Sequence, residues 1–320
     1  MADLKVGVIG SGGHAQGHLR MIKAEPRMHL TAVAELSEDR LAQAKETFQP
    51  DFVYRDYRQM LAEANLDVVY VVTLPVHLTT IVLDCLAEGL HTSVEKPAGM
   101  GVSDAVKMAD AARNSKGKGI LSFNRRYFPE ILAVRQMLQD RGGAVHVAAV
   151  YHKTHSREKR SERPPEITSD AIHHVDLLRW MAGKTPIEAA KTVEVYAQSW
   201  FGEQPGSPRY NAIIGFDSGC RGTMMSQYGV GYRIQEAEVH ADGLSAYLDL
   251  TRAPNITLYE DGKLRETPLP QIVPDTFNET VHFADCILND TTPWSNLDDA
   301  IETMRLCEAI EQGVKGSLEQ

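Results

Sequence analysis

The chain has 320 residues, 43% of them hydrophobic and 24% charged, and 33 Lys and Arg against 43 Asp and Glu leave a formal net charge of −10. Phosphate backbones demand concentrated positive charge, so this balance excludes nucleic acid as the main partner. No apolar run approaches the ~18 residues that span a bilayer, which argues against a membrane protein, and the length predicts about two domains.

The N-terminus runs straight into a strand at Lys5–Ile9 without a signal-peptide layout. A helix over 14–24 and a strand over Leu30–Ala34 follow. Ser37 caps a helix to about Phe48, with Glu38 and Asp39 at the positive end of its dipole. Asp56–Ala64 reads as helix. Asp67–Val72 is a near-continuous apolar strand, the pattern of a sheet covered on both faces. A helix over 79–88 ends at Gly89, Thr92–Val94 is a strand, Ser103 caps a helix to about Asn114, and Ile120–Phe123 is the last strand of this series. Such alternation predicts a parallel, doubly wound sheet.

The rhythm then changes. A helix over 129–139 precedes strands at 144–152, 189–201, 209–217, 220–228, 232–241, 244–250 and 255–260, with a helix near 170–182 between the first two. Asp217-Ser218-Gly219, Asp242-Gly243 and Asp261-Gly262 are hairpin signals of an antiparallel sheet. Helices near 277–289 and 297–312 close the chain. The expected organisation is a dinucleotide-binding domain over 1–122 and an α+β domain over 123–320. The four scattered cysteines (Cys85, Cys220, Cys286, Cys307) have no metal spacing and predict reduced thiols in a cytoplasmic protein.

Gly10-Ser11-Gly12-Gly13-His14-Ala15 fits G-x-G-x-x-A between a strand and a helix. Gly10 permits the tight turn, Gly12 lets backbone approach a pyrophosphate, and Ala15 keeps helix and strand close. Gly13 and His14 complete the loop at the helix N-terminus, which offers N–H groups to phosphates. Glu35 ends the next strand, 23 positions after Gly12, and can accept both adenosine ribose hydroxyls. It would repel a 2′-phosphate, and Leu36 offers no compensating cation, so NAD is favoured over NADP.

Thr92-Ser93-Val94-Glu95-Lys96-Pro97 ends a strand in Glu-Lys-Pro. With the glycine fingerprint, this resembles the Gfo/Idh/MocA family, the glucose–fructose oxidoreductase and inositol dehydrogenase group. Phe123-Asn124-Arg125-Arg126-Tyr127, the segment Ile172 to Trp180 (I-H-H-V-D-L-L-R-W) and the segment Glu236 to Leu250 are similar to further family segments in the same order. The resemblance spans nearly the whole chain. It implies a Rossmann domain followed by an α+β domain with a large open antiparallel sheet, and NAD(P)-dependent redox chemistry on sugars, cyclitols or related polyols. It also implies a homodimer or homotetramer packed through that sheet. It places Thr73, Leu74, His77, Glu95, Lys96 and Asn124 along the cofactor, and Arg126, Tyr151, Asp170 and Asp176 along the substrate.

Oxidising a secondary alcohol needs a hydride acceptor, a base and a group to steady the alkoxide. NAD supplies the first. The resemblance selects His173 over His174 as acid/base, and Lys96 at a strand end suits the oxyanion. Two positions depart from the family pattern: proline and histidine are displaced in Thr73-Leu74-Pro75-Val76-His77, and Ser169 stands where many members carry an Asp. Asp170 lies beside it. The second departure keeps open an NAD-using glycosidase or epimerase of the same fold, and beyond that a non-catalytic NAD sensor. His152, His155, His173, His174 and Asp170 match no zinc spacing, so no metal is expected. Residues 152–163 carry five Lys/Arg against two Glu, which raises a lid over an anionic substrate as the sharp reading of a basic loop.

Overall fold

The computed structural model describes residues 4–154, 163–202 and 207–318. In chain order the first elements are β1 (Leu4–Ile9), α1 (Ala15–Ala24), β2 (Met28–Ala34), α2 (Glu38–Phe48), β3 (Phe52–Tyr54), α3 (Tyr57–Glu63), β4 (Val68–Val71), α4 (Pro75–Ala87), β5 (His91–Val94), α5 (Val102–Asn114) and β6 (Gly119–Leu121). The six strands form a parallel sheet in the order β3-β2-β1-β4-β5-β6. The order reverses between β1 and β4, the switch point outside which open α/β sheets bind ligands. Every residue of β4 is buried, as its unbroken apolar run predicts.

Local signals explain most boundaries. Ser37 does cap α2, its side chain accepting from Arg40 N. Helix α4 starts earlier than 79 because Pro75 sits in its first turn, where a fixed φ and a missing N–H do no harm. The cap of α5 is Gly101, not Ser103, and Asp104 accepts from Met100 N at 2.9 Å. Strand β3 is absent from the sequence reading: it is three residues long, on the sheet edge, and its first residue is exposed.

A 3₁₀ turn (Asn124–Tyr127) leads to α6 (Pro129–Gln139), β7 (His146–Lys153), α7 (Glu166–Ser169) and α8 (Ile172–Ala182). Six strands follow: β8 (Thr192–Phe201), β9 (Pro208–Phe216), β10 (Arg221–Tyr228), β11 (Ile234–Ala241), β12 (Leu244–Asp249) and β13 (Asn255–Glu260). The chain ends with β14 (Lys263–Leu264), α9 (Glu279–Leu288), α10 (Leu297–Gln312) and β15 (Lys315–Ser317). The nine-stranded sheet runs β14-β13-β12-β11-β7-β10-β9-β8-β15. All pairs are antiparallel except β7 with β10, so the sheet is mixed at its centre. That exception arises because β7 is inserted between two strands formed later in the chain.

The chain divides into two compact units, Met1–Ser122 with Asn278–Ile301, and Phe123–Phe277 with Glu302–Gln320. Residues 278–301, expected in the second domain, therefore group with the parallel sheet. In the second unit α8 lies against β7, β10 and β11 and is buried along its length except at His173. The other sheet face stays open. Tyr196 pairs with Ile213, Ile213 with Thr223, Ala148 with Glu238, and Glu238 with Tyr247, giving one outward row across the strands. All four cysteines are buried and free. Among the described residues no helix is long and apolar enough to cross a membrane.

Candidate active site

The glycine loop lies at the carboxyl end of β1. Gly10 has φ +92°, and a Cβ there would stand 2.2 Å from the Val72 carbonyl oxygen, so only glycine fits the turn. A Cβ at Gly12 or Gly13 would meet nothing within 4 Å. Helix α1 begins there with no side-chain cap and no acidic residue in its first turn. An open glycine surface at an uncompensated helix N-terminus fits a dinucleotide pyrophosphate.

Glu35 ends β2 and is 7% exposed. Its Oε1 accepts from Ser37 N and Arg40 Nη2, both at 2.9 Å, and its Oε2 from Ser11 N at 2.9 Å and Ser11 Oγ at 3.3 Å. Burial alone would raise its pKa, but the Arg40 guanidinium and the two amides outweigh burial and pull it down to about 2. The carboxylate is thus ionised, anchored and fit to take ribose hydroxyls in exchange for Ser11 Oγ. Leu36 is 76% exposed and does not face it. The cation that Leu36 does not offer is supplied by Arg40, in the first turn of α2.

Lys96 lies two residues past the end of β5 and is half-buried. Glu95, also expected along the cofactor, places its Oε2 2.9 Å from His18 Nε2 on α1. His18 Nδ1 is 3.6 Å from Glu279 Oε1, and Ser122 Oγ contacts both Glu279 oxygens at 2.9 Å. Burial disfavours charge on His18, but the Glu95 hydrogen bond and the Glu279 charge raise its pKa. Glu95 is held below the usual carboxylate range despite burial, through His18, whereas burial pushes Glu279 up. This internal network ties the Lys96 strand end to α1 and α9. Thr73 and Leu74 lead into α4, His77 is exposed in its first turn, and Asn124 is exposed at the start of the 3₁₀ turn.

In the second unit His173 and His174 part company. His173 is half-exposed; His174 is fully buried, faces the Arg125 guanidinium, and its pKa falls well below the ordinary value through burial and that charge. Tyr151, on the covered face of β7, sets its ring edge-on to His174 at 5.2 Å. Asp170 is 4% exposed and pairs with Lys153 Nζ at 2.9 Å. Lys153 also lies 5.7 Å from the Tyr151 ring. Arg126 and Asp176 are the other residues expected along the substrate. They are 0% and 1% exposed and bind each other through two hydrogen bonds, Nε to Oδ2 at 2.8 Å being one, while Thr303 Oγ1 donates to Oδ1 at 3.0 Å. Phe123 and Trp180 cover the guanidinium. This pair braces α8. His155, Arg157 and Arg160, and the stretch 155–162 to which they belong, lie outside the described residues.

Residues 4–123 match the model of a family described as an oxidoreductase family with an NAD-binding Rossmann fold, Gfo/Idh/MocA. Over 273 residues the chain is 22% identical to myo-inositol 2-dehydrogenase of Thermotoga maritima, covering 81% of this chain and 79% of that protein. It is 26% identical over 193 residues to inositol 2-dehydrogenase of Burkholderia multivorans, covering 58% of this chain and only 56% of that protein. Among solved structures, a levoglucosan dehydrogenase in complex with NADH shares the fold at a TM-score of 0.83 and 17% identity, over 99% of this chain and 100% of that one. The stretch that matches this family's model contains the glycine loop, Glu35 and Lys96.

Proposed function

We propose that the protein is an NAD-dependent dehydrogenase that oxidises a secondary hydroxyl of a sugar-like or cyclitol substrate, or reduces the corresponding ketone. The observation that carries this reading is Lys96, which follows β5 at the carboxyl edge of an NAD-binding sheet, the edge at which such sheets bind ligands. When bound, NAD exchanges a hydride with the substrate carbon. The Lys96 ammonium donates a hydrogen bond to the reacting oxygen and stabilises the charge that develops on it. His173 takes the hydroxyl proton in oxidation and returns it in reduction. Its half-exposure supports this role, while the burial of its neighbour His174 against Arg125 marks the latter as structural. The names of the relatives, inositol and levoglucosan dehydrogenases, support the polyol class.

The parallel-sheet unit is assigned the dinucleotide and the nine-stranded unit the substrate. A second copy of the chain is proposed to cover the open sheet face, where Tyr196 is 52%, Ile213 59% and Met225 46% exposed. The four buried free thiols suit a reducing, cytoplasmic setting. The test is NADH formation at 340 nm across cyclitols, anhydrosugars, aldoses and sugar acids. Net NADH with at least one polyol supports the reading. Substrate conversion without net NADH would replace it with transient use of the cofactor, the chemistry that Ser169 in place of Asp leaves open.

A further inference from the structure

Arg125 is 8% exposed, and among the described residues no carboxylate lies within ion-pair distance of it. Its guanidinium contacts the ring of His174, which burial keeps neutral, and donates from Nη2 to Gln235 Oε1. The carboxylate it senses is Asp176, already bound bidentately by Arg126. Arg233, exposed on the approach to β11, adds further positive potential. Lys153 is matched by Asp170. Burial pushes the Arg125 pKa down to about 10, so the guanidinium stays charged near neutral pH.

A buried cation with no carboxylate partner among the described residues costs several kcal/mol, and a device that merely tied three elements together would not need one. A second observation points the same way. Gln235 is 1% exposed, and its Nε2 is a buried donor without a hydrogen-bond partner. The amide cannot be turned round to cure this, because Nε2 would then face the Arg125 donor. One unneutralised cation and one unused N–H therefore stand side by side on the covered face of β11.

We propose that Arg125 and Gln235 Nε2 form a subsite for a carboxylate of the substrate, so that the enzyme acts on sugar acids in preference to neutral sugars. A planar carboxylate has the right lone-pair geometry: its two oxygens accept from the guanidinium and from the amide N–H together, and its charge offsets that of Arg125. This specificity rests on the dehydrogenase reading above, but its test does not depend on turnover.

Binding is measured by calorimetry on the NADH-loaded protein, with D-glucuronate, D-galacturonate and D-gluconate set against D-glucose, D-galactose and myo-inositol. At least one acid is expected to bind about 10-fold or more tighter than its neutral counterpart. Arg125→Gln removes that preference and leaves neutral-sugar affinity within about 3-fold. Gln235→Glu supplies the missing charge within the protein. It should keep or raise Tm while abolishing the preference, so the test survives if Arg125→Gln folds poorly. Equal binding of acids and neutral sugars, or a preference that persists in Gln235→Glu, overturns the subsite. Tight acid binding without NADH formation would instead count against the dehydrogenase reading.

Discussion

Cofactor choice turns on one carboxylate and one guanidinium. Glu35 is depressed from 4.5 to about 2, and at ~1.4 kcal/mol per pKa unit its contacts stabilise the loop by about 3 kcal/mol. Because the folded pKa is the lower one, this stabilisation is complete above about pH 4.5 and lost as pH falls toward about 2. At neutral pH the carboxylate is fully charged. A 2′-phosphate of about −1.5 to −2 charge at a separation of about 5 Å would be repelled by the carboxylate by roughly 1.2–6.6 kcal/mol, for effective dielectric constants of about 80 to 20, and Arg40, paired with Glu35, offsets part of this. Taking about 3 kcal/mol, NAD should bind about 10²-fold more tightly than NADP. Glu35→Ser removes the repulsion and releases Arg40, whose side chain is 55% exposed, to pair with the phosphate. The NAD/NADP ratio of Kd values, read from NADH and NADPH fluorescence, should then approach or cross unity. Adding Arg40→Ala should weaken NADPH by about 10-fold. A wild-type ratio near one, or an unchanged ratio in Glu35→Ser, would refute the reasoning.

Three further outcomes follow from the packing. Gly10→Ala drives a Cβ toward Val72 O in a positive-φ turn and should cost about 3 kcal/mol or more in urea unfolding. Gly12→Ala meets nothing and should stay within about 0.5 kcal/mol of wild type, yet weaken NADH binding; equal stability of the two variants would contradict this account. Asp176→Ala strands the fully buried Arg126 and should cost about 3–5 kcal/mol by chemical denaturation, whereas a loss under about 1 kcal/mol would mean the pair is not the brace of α8. Ile213→Asp places a charge at the centre of the open sheet face and should shift the protein toward monomer in light scattering, while an unchanged mass would remove that face as the interface.

Legibility in the sequence tracked the range of the interaction. Strand β4 announced itself because four consecutive buried positions must all be apolar. The Ser37 cap was legible because it acts three residues away, on Arg40 N. Arg40 itself was within reach of the sequence: five residues after Glu35, in the first turn of a predicted helix, it can fold back onto the carboxylate. The hidden features join distant residues. His18 finds Glu95 at a separation of 77 positions and Arg125 finds Gln235 at 110, and no local periodicity encodes either meeting. Asp176 shows the limit from the other side. The family resemblance places it along the substrate, but the buried guanidinium that binds it comes from a 3₁₀ turn 50 residues earlier. The short strands β3 and β15 exist because a neighbouring strand offers an edge, not because three residues carry a pattern.

The central claim is that Lys96 steadies the reacting oxygen. It is tested most directly by steady-state NADH formation with Lys96→Ala on whichever polyol or sugar acid the wild type oxidises, with NADH affinity measured in parallel. Loss of a preorganised cation should lower kcat by about 10²-fold or more while Kd for NADH changes by less than about 3-fold. Turnover within about 3-fold of wild type would contradict the claim, and so would a loss of activity explained entirely by lost NADH binding.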